Sequence, residues 1–233
     1  MGQRALTRRA GRPPPGSPEI AAGPIICPVE DSDSPVLELA GAGRRFGSRL
    51  VLHPVSLRVA RGTVCLVHGA NGSGKTTLLR VAAGLLSPSV GSRYARERAV
   101  YLRPGSGARA RQRVADAVRA AAVLATGEAA GVASALARAG LADLADRRVG
   151  ALSAGQRARL LVALAVVTQP GIACLDEPTA HLDDAGAAAV WTAVRDLADA
   201  GCAVLVATPN RIELTPEPDA RLRIAGGTVG VDR

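Results

Sequence analysis

The stretch GANGSGKTT, residues Gly69 to Thr77, holds the only lysine of the chain: of 29 basic residues, every one except Lys75 is arginine. Arginine in place of lysine, with abundant alanine and glycine, reads as a bias toward GC-rich codons. Under such a bias a lysine persists where arginine fails. A guanidinium is a planar fork, whereas an ammonium is a compact point charge on a flexible stem, suited to a site that wraps tightly around a phosphate. Gly69, Ala70, Asn71, Gly72, Ser73, Gly74, Lys75 and Thr76 fit G-x-x-x-x-G-K-[ST] at every fixed position, with Thr77 following. The context fits as well. An apolar run, TVCLVH, precedes the loop and a helical pattern, KTTLLRVAAGLL, follows it. The glycines let successive N–H groups turn toward one anion, and the helix adds its positive end. Lys75 then reaches the β- and γ-phosphates, and the Thr76 hydroxyl is placed to ligate Mg²⁺.

The second landmark lies a hundred residues on. The apolar run of GIACLDEPTA ends in Asp176 and Glu177. A strand there carries both acids to its C-terminal edge, where open α/β sheets bind ligands. With a phosphate loop upstream, Asp176 is the candidate Mg²⁺ ligand and Glu177 the candidate general base that polarises a water. The competing reading makes the pair simple caps of the next segment.

Outward from these two points the chain alternates. Short apolar runs read as strands: VLELA, VSLRVA, TVCLVH, RAVYL, GIACLD, CAVLVAT and the terminal pair ARLRIAGGTVGV. Helical patterns separate several of them, including the alanine-rich ARQRVADAVRAAAVLA and AAGVASALARAG and the segments GQRARLLVALAVVTQ and AGAAAVWTAVRDLADA. This order predicts an α/β core with a mostly parallel sheet, a small antiparallel β part near the N-terminus and a helical insertion over about 106–147. Residues 1–34, rich in Arg, Pro, Gly and Ser, carry no apolar period and are expected to be a disordered tail. Residues 35–233 form the one folded domain.

Composition narrows the class. Hydrophobic residues make up 48% of the chain but aromatics only 2%, so the core is aliphatic. The four cysteines, Cys27, Cys65, Cys174 and Cys202, form no C-x-x-C, and three sit inside apolar runs, as small buried side chains do. That pattern fits a reducing cytoplasm. No leader pattern with an apolar h-region opens the chain, and the longest apolar run, LLVALAVV, falls far short of the ~20 residues that span a bilayer. The net charge of +9 could serve nucleic acid or anionic lipid. No aromatic-rich RNA-binding run or zinc-finger spacing supports the first, so no nucleic-acid partner is expected.

The third landmark is LSAGQR, Leu152 to Arg157, before the acid strand and at the start of a helix. It resembles the ABC ATPase signature, usually written LSGGQ. The order of phosphate loop, helical segment, signature, acid strand and HLD (His181 to Asp183) resembles the nucleotide-binding domain of ABC transporters, over about residues 35–233. The resemblance implies ATP and Mg²⁺ as ligands, with Phe46 stacking on adenine, although Phe46 also reads as an ordinary core aromatic. It implies that Ser153, Ala154, Gly155 and Gln156 meet the γ-phosphate held by an opposite subunit, at a helix N-terminus. Two ATPs then lie in a head-to-tail homo- or heterodimer, with HLD lining the interface. The implied partner is a separate membrane permease, met by 106–147 and the glutamine loop, and the implied place is the cytoplasmic face of the membrane. A hydrolysis-impaired regulatory subunit and a soluble, non-transport ABC ATPase are the alternatives.

Three departures from the family's pattern stand out. Ala154 replaces the usual glycine, a small change unless the position needs φ > 0. Arg103 stands where a glutamine normally ends the strand after the phosphate-loop helix, and SPSVGSRYARERAVYL before it is short, as if one hairpin were trimmed. Pro209 stands where a histidine normally contacts the γ-phosphate, and proline offers no hydrogen-bond donor. The expectation is that ATP binding survives and hydrolysis is weakened.

Overall fold

A computed structural model describes residues 25–27, 35–105, 107–180, 182–209 and 214–232. Its main sheet is six-stranded, in the order β10-β9-β4-β8-β7-β6, built from β4 (Val64–His68), β6 (Ala99–Leu102), β7 (Ile172–Asp176), β8 (Ala203–Thr208), β9 (Ala220–Ala225) and β10 (Thr228–Val231). All neighbours pair in parallel except β10, which turns back antiparallel on β9. The expected parallel core is therefore present. Its central strands β4, β7 and β8 are buried along their whole length, which is why they read as continuous apolar runs and not as alternating ones.

Alternation survives inside those runs as a choice of face. Cys65, Val67, Ile172, Cys174, Leu205 and Ala207 join one core with Leu78, Leu79, Val81 and Ala82 of α1 (Lys75–Ala82). Val64, Leu66, Ala173, Leu175, Val204 and Val206 join another on the opposite face with Trp191, Val194 and Leu197 of α5 (Asp184–Asp199). Helix α4 (Ala154–Thr168) touches this second core through Leu161 and Ala165. Its other sides meet α2 (Val114–Thr126) and α3 (Val132–Arg138) through Leu160, Leu164 and Val167, and α5 through Ala158 and Val162. A helix covered on nearly all sides must be apolar all round. That accounts for LLVALAVV without a membrane, and no helix of the described residues is long and apolar enough to cross one.

The smaller sheet has the order β1-β3-β2-β5, with β2 (Leu37–Phe46), β3 (Arg49–Val59) and β5 (Val90–Ala95) antiparallel. Two of its strands depart from expectation. β5 was not legible as a strand because it lies at the edge with most of its side chains exposed, leaving no apolar stripe. β1 (Ile25–Ile26) falls inside the segment expected to lack structure, and it pairs in parallel with β3. Cys27 follows it into the core, completely buried, with its Sγ 3.0 Å from Sγ of Cys65. The rest of the 1–34 expectation lies outside the described residues. Between β6 and α4 no named strand occurs among the described residues, only α2, α3 and two 3₁₀ turns.

Candidate functional site

The loop from β4 to α1 uses glycine where a Cβ has no room or the backbone is left-handed. Gly69 has φ 157°, and a Cβ there would meet the Ile224 carbonyl oxygen at 2.2 Å. Gly74 caps α1 at φ 113°, a left-handed backbone that other residues avoid. The first N–H groups of a helix have no intrahelical acceptor, and the first turn of α1 carries no acidic side chain to compete for an anion. Asn71, Gly72, Gly74, Lys75, Thr76 and Thr77 line a pocket of about 360 Å³, with Val51 of β3 and Glu177 completing its wall. Lys75 is nearly fully buried. Its Nζ donates to the carbonyls of Gly69 at 2.7 Å and Ala70 at 3.2 Å, and lies 3.8 Å from Glu177 Oε1. A single compact charge, braced by the loop it serves, faces the pocket.

Parallel pairing of β4, β8 and β7 brings Asp176 and Glu177 to the edge of the sheet from which the loop springs. Asp176 is buried at 6% exposure. Its Oδ2 accepts from Thr76 Oγ1 at 2.8 Å and from the Tyr101 hydroxyl at 2.6 Å. Its Oδ1 is buried with no hydrogen-bond partner, and so is Ser73 Oγ in the loop. Orphaned buried oxygens are costly, about 1–3 kcal/mol each, and point to a ligand. A hard divalent cation takes oxygen donors of this kind, so Thr76 and Asp176 fit Mg²⁺. Burial first, and then the bond to Asp176, push the Tyr101 phenol pKa up, so it stays a donor. Glu177 has φ 53°, a left-handed backbone that costs a non-glycine residue about 1–2 kcal/mol. Its N–H donates to the Ala207 carbonyl at 2.9 Å, which fixes this turn against β8. Two adjacent caps do not require such a strained backbone, so the capping alternative is disfavoured for Glu177.

The signature forms a separate surface. Ser153 caps α4: its Oγ accepts from the Gln156 N–H at 3.2 Å, while Gln156 Oε1 accepts from the Ser153 N–H at 2.9 Å. This reciprocal capping box holds the helix start open to solvent. Ala154 is an ordinary first helical residue, so the replaced glycine demands no positive φ. Ser153, Ala154 and Gly155 line a groove of about 660 Å³ with Leu182, Asp183 and Gly186, and this groove shares no lining residue with the phosphate-loop pocket. Phe46 is 47% exposed with the Arg44 guanidinium 5.0 Å from its ring centroid, which excludes the core-aromatic alternative. It is not among the residues that line the phosphate pocket. Arg103 is exposed just beyond β6, and Pro209 is half-buried just beyond β8. No histidine lines the pocket among the described residues, and His181 of HLD lies outside them. Tyr101 and Val51 were missed as site residues. Tyr101 carried one weak signal, a phenol at the end of an apolar run that pairs beside the acid strand.

Residues 52–180 match the family model described as ABC transporter. The chain belongs to the ABC transporter family, as one of its nucleotide-binding domains. It is 40% identical over 184 residues to a daunorubicin resistance ATP-binding protein of Streptomyces coeruleorubidus, which covers 72% of this chain and 58% of that protein's length. It is 41% identical over 165 residues to a cytochrome c biogenesis ATP-binding export protein of Cereibacter sphaeroides, covering 70% of this chain and 77% of the relative. A zinc import ATP-binding protein of Ruegeria pomeroyi is 39% identical over 182 residues, covering 75% and 69%. In fold, the chain is similar to an inward-facing metal-chelate type ABC transporter, described as putative, with TM-score 0.76 and 22% identity over 85% of this chain and 83% of that one. It is also similar to an ATP-binding cassette in its ADP conformation, with TM-score 0.74 and 23% identity over 84% and 89%.

Proposed function

We propose that this ABC domain binds MgATP in the loop pocket, pairs head to tail with a second such domain and drives a separate membrane permease. The carrying observation is the Thr76–Asp176 pair: Thr76 lines the Lys75 pocket, and Oδ1 of the Asp176 that it bonds is buried without a partner. Mg²⁺, when bound, supplies charge neutralisation for the β- and γ-phosphates. The chain's own residues do the rest. Lys75 and the first-turn N–H groups hold the phosphates, Thr76 and Asp176 hold the ion, and Glu177 takes the proton of the attacking water. The separation of the signature groove from this pocket supports a two-domain site, because a phosphate held by one copy has no signature donors in the same copy.

A cleft of about 1030 Å³ supports the permease contact. It is lined by Ala120, Ala121, Leu124 and Ala125 of α2, with Arg98, Arg109 and Arg111 among its other lining residues. Leu124 is 89% exposed, a large apolar side chain left for a partner. The relatives are named for drug resistance, cytochrome c biogenesis export and zinc import. Such spread leaves the cargo to the permease, and the site to cytoplasmic work at the membrane face.

A second reading, a subunit that binds ATP and hydrolyses it weakly, is favoured by Pro209, half-buried just beyond β8 where the family's pattern has a histidine. The deciding measurement is Mg²⁺-dependent ATP turnover by the purified chain at high concentration, beside Glu177→Gln and Lys75→Ala. We expect wild-type turnover well below the ~10 s⁻¹ typical of enzymes, a further loss of about 100-fold in Glu177→Gln, and loss of ATP binding in Lys75→Ala. Rapid turnover by the homodimer would sink the weak-hydrolysis reading. Undiminished ATP binding by Lys75→Ala would sink the site itself.

A further inference from the structure

We propose that Tyr101 is a positioning residue that holds Asp176 in register for Mg²⁺. This rests on the reading of Thr76 and Asp176 as the Mg²⁺ pair. A carboxylate on a strand end rotates about its Cβ–Cγ bond, and a metal ligand must not. Here the rotation is stopped on one oxygen only. Oδ2 accepts two hydroxyl donors, Tyr101 at 2.6 Å and Thr76 Oγ1 at 2.8 Å, while Oδ1 keeps its lone pairs unspent in a buried setting. Thr76 alone is a poor clamp, because its oxygen is itself a candidate ligand and moves with the ion. Tyr101 is independent of the ion. It enters from β6, the strand paired in parallel with β7, at the register position of Cys174.

The phenol is in turn braced. The Arg80 guanidinium lies over its ring, 5.5 Å from the centroid, and Arg80 is in the last turn of α1. The helix that begins at Lys75 thus bears on the acid from both ends: directly through Thr76 in its first turn, and from Arg80 in its last turn by way of Tyr101 on β6. β6 ends at Leu102, with Arg103 just beyond it, and Tyr101 is the β6 side chain that reaches the acid.

The test uses the full chain, Mn²⁺ as the probe ion and Tyr101→Phe, which keeps the ring and removes only the hydroxyl. Free Mn²⁺ is read by its paramagnetic resonance signal against chain saturated with ATP. ATP affinity without metal is read in EDTA with a fluorescent ATP analogue. We expect Mn²⁺ affinity to fall about tenfold or more, the usual effect of losing an outer partner of a metal ligand, while metal-free nucleotide affinity stays within about twofold. Mn²⁺ affinity unchanged in Tyr101→Phe but lost in Asp176→Asn overturns the role of Tyr101 and leaves the metal site standing. Affinity unchanged in both variants overturns the metal reading itself. An equal loss of metal-free nucleotide affinity in Tyr101→Phe marks a merely structural residue and also overturns the proposal.

Discussion

The phosphate-loop pocket and the signature groove both present a helix N-terminus, yet they are built on opposite terms. In the pocket, needs are left open: Ser73 Oγ and Asp176 Oδ1 are buried without partners, and Glu177 sits at φ 53°. At the groove, needs are closed, with Ser153 and Gln156 satisfying one another and Ala154 in relaxed helical geometry. Open needs are what a ligand of small size and high charge repays. Closed needs make a rigid, pre-shaped surface whose ligand must come from elsewhere. The difference teaches that one copy holds a pocket with unmet needs and, apart from it, a groove with none, which is the arrangement the proposed head-to-tail pairing requires.

The comparison breaks hardest at its glycines. Gly69→Ala forces a methyl to within 2.2 Å of the Ile224 carbonyl oxygen, whereas at Gly155 the nearest atom is Leu182 Cδ2 at 3.6 Å. We expect Gly69→Ala to cost about 3 kcal/mol of stability and to lose ATP binding. Gly155→Ala should raise melting temperature slightly, since alanine is the better helix former in the first turn of α4, while monomer ATP affinity stays unchanged and turnover falls. Thermal unfolding and nucleotide titration of the two variants side by side check this, and equal behaviour would erase the distinction. Next in size is Ser153→Ala, which removes the cap of α4 and costs about 1 kcal/mol with metal-free ATP affinity intact. A similar or smaller shift of opposite sign is expected for Glu177→Gly. Releasing the left-handed strain is worth about 1–2 kcal/mol, partly offset by about 0.5–1 kcal/mol of glycine entropy. Denaturant unfolding should therefore show a variant more stable than wild type that no longer turns over, and a destabilised one would deny the strain.

What was legible in the sequence was whatever is local. The loop, the acid pair and the signature declare themselves in contiguous residues, and the central strands declare themselves by being buried on both faces. What was not legible is made across the fold. Tyr101 meets Asp176 through strand pairing, β5 is a strand only because β2 (Leu37–Phe46) offers it an edge, and Ile25 to Cys27 gain order only against β3 and Cys65. No periodicity announces such contacts, since each depends on a partner far along the chain. Phe46 shows the converse: the sequence left it between a core aromatic and one that stacks on adenine, its 47% exposure removes the first, and ATP titration of a Phe46→Ala chain tests the second.

The smallest effect discriminates best between the two regions. Ala154 stands where the family's signature has glycine, and the resemblance alone leaves open whether function suffered. The geometry answers in terms of backbone. Ala154 is the first residue of α4 behind an intact capping box, with no positive φ to relieve. Restoring the family's glycine by Ala154→Gly should thus gain nothing in backbone strain and lose helix propensity, a cost of about 0.5–1 kcal/mol within a helix and less at its first residue. Melting temperature should fall slightly, and turnover should stay where it was. If turnover instead rises several-fold, the methyl was obstructing the phosphate of an opposite copy, and the presenting edge limits hydrolysis. If it does not move, the methyl is no obstacle, and any shortfall in turnover is to be sought on the receptor side, at Arg103 and Pro209.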